Sequence, residues 1–347
     1  MKAVGYCANW PVDHAEALLD LELPAPVPSA RDVLVRVKAV SVNPVDTKVR
    51  KGSLPPEGQA KVLGWDAVGT VEAVGAQVSR FKVGDRVYYA GSIARPGANS
   101  ELHAVDERIV ALAPQSLSDE QAAALPLTSI TAYELLFDRL GVAPGKRPTA
   151  QTLLIIGASG GVGSILTQLA TRLTSLTVIG TASRPETQAW VKELGAHHVI
   201  DHSQPIADEL KRIGFPTVDL IVSLTQTDLH FAQIVEAIAP QGKFGLIDDP
   251  AHRAFPRFGG LHHIYANPAA RKGLRDGHYA DGATFVYDLL ETRKLPDGTA
   301  PNASRPQMPR LAGQREDYLL HSMRQFRSNQ AVGRDTLMTA ALYGVSD

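Results

Sequence analysis

Hydrophobic and polar positions along this chain change period twice. Over DVLVRVKAVSVN (32–43), AVGTVEAVG (67–75) and DRVYYAG (85–91), short β-branched runs alternate with polar positions and are broken by Gly, Pro and Asp. A period of two suits half-buried strands, and the repeated glycines suit the corners of a small barrel. From about residue 119 the spacing turns helical, through DEQAAALP and then SITAYELLFDRLG, whose last glycine predicts a helix stop. After APGKRPTA, apolar runs and amphipathic stretches alternate regularly. Strands are predicted at 153–157, 176–181, 197–201, 218–223 and 243–247, with helices near 162–173, 186–194, 205–213 and 229–238. Strands joined by helices of this length imply right-handed crossovers and a parallel sheet, with ligand at the carboxyl ends of its strands. Beyond Pro250 the alternation stops.

One junction in that pattern carries chemistry. LLIIGASGGVG (153–163) runs from apolar β-formers straight into a glycine cluster and then into a helix. Gly157 suits a tight turn, Gly160 and Gly161 let backbone N–H groups approach a pyrophosphate, and Gly163 lets the helix pack close to the strand. The positive end of that helix then faces an anionic cofactor. Ser159 and Val162 belong to the same turn, and Ser223 and Leu224 end a neighbouring strand of the same predicted sheet. About 20 residues past the loop, where an NAD enzyme places a ribose-binding acid, the chain reads Thr181, Ala182, Ser183, Arg184. An acid there repels a 2′-phosphate, whereas a hydroxyl followed by a guanidinium binds one, so the expected cofactor is NADPH. The plainer reading of Ser183 is a cap on a helix starting near Pro185 or Glu186; both roles are compatible.

At 347 residues, two domains are expected. Lys+Arg (35) nearly cancels Asp+Glu (36), which gives little electrostatic case for nucleic acid or an anionic membrane. MKAVGYCANWPVD has no secretory pattern and no run approaches a spanning helix, so a cytoplasmic setting is expected. The single cysteine, Cys7, excludes intramolecular disulfides, a four-cysteine zinc site and CxxCH haem attachment, and its place in a first strand predicts core packing. His197, His198 and His202 raise a metal cluster, but adjacent histidines on a strand point to opposite faces, which favours packing and polar exposure. The glycine spacing also fits short-chain dehydrogenases, yet none of the nine tyrosines has the lysine four positions on that their chemistry needs.

NPVDTKVRKG (43–52), GWDAVGTVEAVG (64–75), VGDRV (83–87), AAALPLTSITAYELL (122–136), GASGGVG and GAHHVIDH (195–202) occur in one order. Together they resemble the medium-chain dehydrogenase/reductase superfamily, nearest its NADPH quinone oxidoreductase or "zinc-type alcohol dehydrogenase-like" branch, over residues 1 to about 250. The resemblance implies an α/β chain: a GroES-like β-barrel catalytic domain (1–125), a Rossmann doubly wound parallel sheet that binds NADP (126–250), and an atypical tail (251–347). It also implies hydride transfer to a small-molecule quinone or α,β-unsaturated carbonyl, in a family that is usually homodimeric. Zinc-dependent relatives carry a cysteine in place of Asn43 and a His-Glu pair in place of Trp65 and Asp66, so a three-ligand catalytic zinc is not expected. By position, Asn43 and Asp46 resemble active-site residues near the nicotinamide and Thr131 a cofactor contact. Lys48 stands where some relatives have a tyrosine proton donor. An Asx-turn that only shapes the loop is the alternative for Asn43 and Asp46.

Relatives continue past DDP (248–250) with a sixth strand, and that pattern is not found in the sequence. Residues 262–293 resemble part of small hydroxylamine-oxidising haem cytochromes, and residues 309–329 the middle of a class I cytochrome c with Met338 near its axial-ligand position. A fused remnant is the favoured reading of this tail, over a divergent ending and over non-covalent haem binding. The expected consequence is a fifth strand left with an open edge, unless GATFVYDLLE (282–291) fills it. Besides a reductase, the sequence leaves a non-enzymatic dinucleotide-binding protein, or a chimera with impaired catalysis, as alternatives.

Overall fold

The computed structural model describes residues 1–146 and 148–247, together with the backbone of residues 262–265. The chain divides into two units between Ile130 and Thr131.

The first unit contains β1 (Lys2–Tyr6), β2 (Leu19–Glu22), β3 (Asp32–Ser41), α1 (Pro44–Gly52), β4 (Lys61–Val62), β5 (Asp66–Val74), β6 (Arg86–Ala90), β7 (Leu102–Asp106), β8 (Ala111–Leu112) and α2 (Asp119–Ala123). α3 (Pro126–Tyr133) begins in it and crosses the division. The strands form a three-stranded sheet, β2-β1-β4, and a five-stranded sheet, β7-β3-β5-β6-β8. Every strand pairing in both sheets is antiparallel. The alternation read from the sequence places Val33 and Val35 of β3, Val71 of β5, Val87 and Tyr89 of β6 and Val105 of β7 in one buried cluster. Long β3 and β5 bend past each other through register shifts, as curvature of a small barrel requires. At Gly69 a Cβ would run into the Arg36 carbonyl and the Val35 side chain, so this crossing needs glycine.

Arg95 forks onto Asp32, with Nη1 to Oδ1 at 2.9 Å and Nη2 to Oδ2 at 2.7 Å, and pins the start of β3 to the loop before β7. Tyr89 and His103 are buried together. The His103 ring meets the Pro96 carbonyl at 3.0 Å through Nε2, which therefore carries the proton, and its Nδ1 accepts from the Tyr89 hydroxyl at 2.9 Å. Burial pushes the His103 pKa down to about 4.

The second unit begins within α3, which continues as a π-helical turn over Glu134–Arg139. Then follow β9 (Thr152–Ile156), α4 (Gly161–Leu173), β10 (Thr177–Thr181), α5 (Pro185–Glu193), β11 (His198–Ile200), α6 (Ile206–Arg212), β12 (Val218–Ser223), α7 (Thr227–Ala237), β13 (Ile238–Leu246) and β14 (His262–Tyr265). The sheet order is β11-β10-β9-β12-β13-β14, parallel from β11 to β13. All five residues of β9 are buried, as a strand covered on both faces requires. Leu154, Ile179, Ile221 and Phe244 meet Leu210 of α6 and Phe231 and Ile234 of α7 in one core. Each such side chain contributes roughly 1.5–3 kcal/mol by leaving water.

Two expectations change here. β14 pairs antiparallel with β13, Lys243 opposite Tyr265 through Leu246 opposite His262, so the fifth strand does not end in an open edge. The residues that do this, HHIY, lie in the segment expected to be a cytochrome-like remnant; residues 282–291, 309–329 and Met338 lie outside the described residues. Cys7 is exposed just past β1 rather than packed in the core.

Candidate functional site

In the second unit the strand order reverses between β9 and β12, and the turn after β9 sits at that switch point, where a parallel sheet opens a crevice. Gly157 has φ of +84°, which L side chains rarely adopt. Its N–H donates to the Thr181 hydroxyl at 3.1 Å, and its carbonyl accepts from Gly160 N–H at 3.1 Å. Gly160 is the extended cap residue of α4, without a side-chain hydrogen bond to the helix. The first N–H groups of α4 are thus not taken up by a capping side chain, and Gly160 and Gly161 are exposed beside them. A Cβ at Gly163 would strike the Gly157 carbonyl and the Ala158 backbone, so helix and strand meet at glycine distance. Ser159 and Val162 are half-buried at the turn.

The ends of the neighbouring strands differ from the sequence reading in detail. Thr181 and Ser223 are wholly buried. Thr181 braces Gly157 from beneath, and the Ser223 hydroxyl meets Thr227 Oγ1 at 2.7 Å at the start of α7. Each hydroxyl is thus engaged within the fold, Thr181 with the turn and Ser223 with the start of α7. Leu224 N–H donates to the Ile156 carbonyl at 3.1 Å, which closes the switch point beside Gly157. Ser183 is half-buried and does not cap α5. The cap residue is Arg184, whose N–H donates to Thr187 Oγ1 at 3.3 Å, and Pro185 is the first helical residue. The Arg184 side chain is 71 % exposed, and its guanidinium lies 3.2 Å from the Glu186 carboxylate.

In the first unit, Asn43 caps α1 and is held twice. Its backbone N–H donates to Asp46 Oδ2 at 2.7 Å, and its Nδ2 donates to Asp66 Oδ2 at 2.8 Å and, at 3.5 Å, to the Ser41 carbonyl. Asp46 also accepts Gly64 N–H at 3.0 Å, and Asp66 accepts Leu127 N–H at 2.9 Å in the first turn of α3. The bond from the Asn43 N–H to Asp46 is one half of a capping box that starts α1, a helix-starting contact that differs from the expected Asx-turn. Both carboxylates are buried, Asp66 completely. Burial raises the Asp46 carboxyl above its ordinary range and, helped by the charge of Asp46, carries Asp66 up to about 8 against the pull of Asn43 and Leu127. In the sequence Asp66 marks only a position where zinc-dependent relatives carry a different residue. The signal for more was a carboxylate placed directly after Trp65 in a strand start that is otherwise apolar. Lys48 is exposed on α1, and Thr131 is buried in α3.

The three histidines do not converge. His197 Nδ1 accepts Val178 N–H at 2.9 Å, His198 packs edge-on against Phe215, and His202 stands edge-on to His230 with ring centroids 6.0 Å apart.

Comparison with known proteins bears on both units. Residues 29–115 match the alcohol dehydrogenase GroES-like domain, and residues 161–255 match the zinc-binding dehydrogenase domain. A zinc-type alcohol dehydrogenase-like protein of Staphylococcus aureus (strain MSSA476) is 42% identical over 318 residues, covering 85% of this chain and 94% of its own. The chain belongs to the medium-chain dehydrogenase/reductase superfamily. Among solved structures, a putative zinc-dependent alcohol dehydrogenase protein from Rhizobium etli CFN 42 is 57% identical with a TM-score of 0.68, over 72% of this chain and 73% of its own. An Escherichia coli quinone oxidoreductase complexed with NADPH is 29% identical with a TM-score of 0.59, over 70% and 71%. The two units are therefore the GroES-like and Rossmann-like parts of this superfamily.

The superfamily implies two bound groups. The turn at Gly157 fits a dinucleotide: a glycine cradle that a Cβ would fill and an uncapped helix start face one crevice. The residues at the zinc-ligand positions do not fit a zinc ion. Asn43 offers an amide, the Trp65 indole N–H donates to the Ser92 carbonyl at 2.9 Å, and both Asp66 oxygens already accept hydrogen bonds. Among the described residues no group of three His, Cys, Asp or Glu is arranged to hold a metal.

Proposed function

We propose that this superfamily member is an NADPH-dependent reductase that passes hydride to a quinone or an α,β-unsaturated carbonyl without a catalytic zinc. The observation that carries the reading is the glycine turn at the switch point of the sheet, with Arg184 and no carboxylate in the place of the ribose-binding acid. Gly157, Gly160 and Gly161 let the α4 amides approach a pyrophosphate, and Arg184 meets the 2′-phosphate by leaving an exposed ion pair that is worth little. The bound nicotinamide supplies the hydride, and the acceptor takes up the accompanying proton from solvent. Asn43, with Asp46 behind it, orients the acceptor or the ring that meets it, and Thr131 contributes to cofactor binding from α3. Lys48 stands in a proton donor's position with an ammonium instead of a phenol, which favours solvent as the source of that proton. A cytoplasmic homodimer acting on a small molecule is the setting this reading implies. Among the described residues no helix is long and apolar enough to cross a membrane.

Thermal unfolding with each nucleotide tests the cofactor, and NADPH oxidation with a simple quinone tests the reaction. The expected result is a larger melting shift with NADPH than with NADH, together with turnover. Equal shifts would remove the phosphate assignment, and tight binding without turnover would favour a non-enzymatic dinucleotide-binding protein.

A further inference from the structure

Among the described residues two non-glycines have a left-handed backbone, and both are glutamines: Gln226 at φ +51° and Gln241 at φ +64°. Both are exposed, and they stand at opposite edges of the parallel sheet. Gln241 has a reason in the fold, because it lies within residues 239–242, where the register between β12 and β13 shifts. Gln226 lies at the carboxyl edge, just before α7, and gives that helix no side-chain cap. The loop around it imposes its backbone. The Ser223 and Thr227 hydroxyls meet at 2.7 Å across the loop, the Ile156 carbonyl holds Leu224 N–H, and the Thr225 methyl stands 3.1 Å from where a Cβ on Gly157 would be. The loop that carries Gln226 is therefore packed on the turn at Gly157. Glycine would adopt this backbone freely, whereas glutamine adopts it under strain and sets an exposed carboxamide beside the crevice, free of any bond to the helix. Strain of this kind clusters at ligand clamps.

We propose that Gln226 is a cofactor-binding residue whose carboxamide holds the ribose on the nicotinamide side of the dinucleotide. This rests on the reading above that the turn at Gly157 takes the pyrophosphate. The sheet order then sets the direction of the rest. β10, β9 and β12 are neighbours in that order, with Arg184 past the end of β10 and Gln226 past the end of β12. A dinucleotide with its pyrophosphate over β9 and its 2′-phosphate at Arg184 has its other half over β12. The two ribose hydroxyls of that half each donate and accept, and a carboxamide offers an NH2 group and an oxygen side by side to meet them. The held loop fixes the backbone from which the carboxamide reaches, so less ordering remains to be done when the cofactor binds.

Gln226→Gly removes the carboxamide and the strain together, and Gln241→Gly removes the same strain at the opposite edge of the sheet. For each, calorimetry gives the affinity for NADPH, for NADH and for 2′,5′-ADP, which carries the 2′-phosphate without the nicotinamide half. Gln226→Gly should bind NADPH and NADH about tenfold more weakly, by the same factor, and should bind 2′,5′-ADP as wild type does. Gln241→Gly should match wild type with all three. Both variants should melt no lower than wild type, since the relief of strain outweighs the extra chain entropy of glycine. Gln226→Asn keeps an amide that suits a left-handed backbone but is one methylene shorter, and it should show the same pattern with a smaller loss. Undiminished affinity of Gln226→Gly for NADPH and NADH overturns the proposal. So does an equal loss for 2′,5′-ADP, which would mean that the loop only supports the turn at Gly157. If wild type binds none of the three, the cofactor reading fails and this proposal falls with it; if wild type and Gln226→Gly bind all three alike, this proposal fails alone.

Discussion

The two units build their sites from different materials. In the Rossmann-like unit the crevice is made of main chain: a left-handed glycine, the amides that start α4 and a glycine contact between helix and strand. In the GroES-like unit buried side chains carry the site: Asn43, Asp46, Asp66 and the Leu127 amide, drawn from three separated stretches, satisfy one another. A main-chain site tolerates almost any exposed side chain and is insensitive to pH. A buried carboxylate network has the opposite properties.

The largest effect that would break this contrast concerns pH and stability. Asp66 holds its proton more tightly folded than unfolded, so between its ordinary 3.8 and about 8 folding stability falls as pH rises. His103 holds its proton less tightly when folded, so between about 4 and its ordinary 6.5 stability rises with pH. Both residues lie in the GroES-like unit, and between about pH 4 and 6.5 their slopes oppose. Wild type should be nearly level there and should weaken from 6.5 to 8. Asp66→Asn should remove the falling limb, worth about 6 kcal/mol over its full span, and expose a rise of about 3 kcal/mol from His103. His103→Gln should leave the fall alone. Denaturant unfolding at half-unit pH steps checks this, and parallel curves for wild type and Asp66→Asn would refute it.

Next in size is the main-chain site. In Gly163→Val the added carbons strike the Gly157 carbonyl and Ala158, which have no flexible end to give way. Strand and helix must part, at about 1–3 kcal/mol in stability, and NADPH affinity should fall by about 100-fold or more, read by fluorescence titration. Retained affinity would mean that the cofactor does not use this turn.

This asymmetry also explains what could be read in the sequence. The parallel strands and their helices appear within a few residues of their expected places, because period and glycine punctuation are local signals. β13 shows the limit: Ile238 pairs with Val218 and the part from Lys243 pairs with β12 in continuous register, while the register shifts across residues 239–242 between them. The turn itself was legible for the same reason, since glycine at 157, 160, 161 and 163 answers a main-chain need. The burial of Thr181 and Ser223 was not, because a hydroxyl at a strand end reads alike whether it faces a ligand or braces a turn. Asp66 was furthest out of reach. Its partners are 23 and 61 residues away, and only the folded first unit brings them within hydrogen-bond distance. Exposed Cys7 failed by a smaller margin, because β1 ends one residue earlier than an inward-facing position would require.

A third prediction isolates the one place where the main-chain site depends on a side-chain charge. Arg184→Ala should lower the affinity for NADPH by about tenfold and leave NADH nearly unchanged, since only the phosphate loses a partner. Its stability should stay within about 0.5 kcal/mol of wild type, because the side chain is 71 % exposed and buries little. Equal losses for both nucleotides would mean that the residue shapes α5, whose cap it forms, rather than reading the phosphate.

The smallest effect follows from the acid beside it. Glu186 lies 3.2 Å from Arg184, and the two side chains are 66 % and 71 % exposed, so water and salt screen the pair heavily. A 2′-phosphate brings more charge and more acceptor oxygens to the guanidinium than the carboxylate does, and it must also approach against the carboxylate's own field. Glu186→Gln removes that competition and that repulsion together while keeping the side chain's size. NADPH should then bind more tightly by at most about threefold, with the gain shrinking as salt is raised and with NADH unaffected. A weaker NADPH complex in Glu186→Gln would show instead that the carboxylate holds Arg184 in its working position, and the ion pair would count as part of the phosphate site instead of a rival to it.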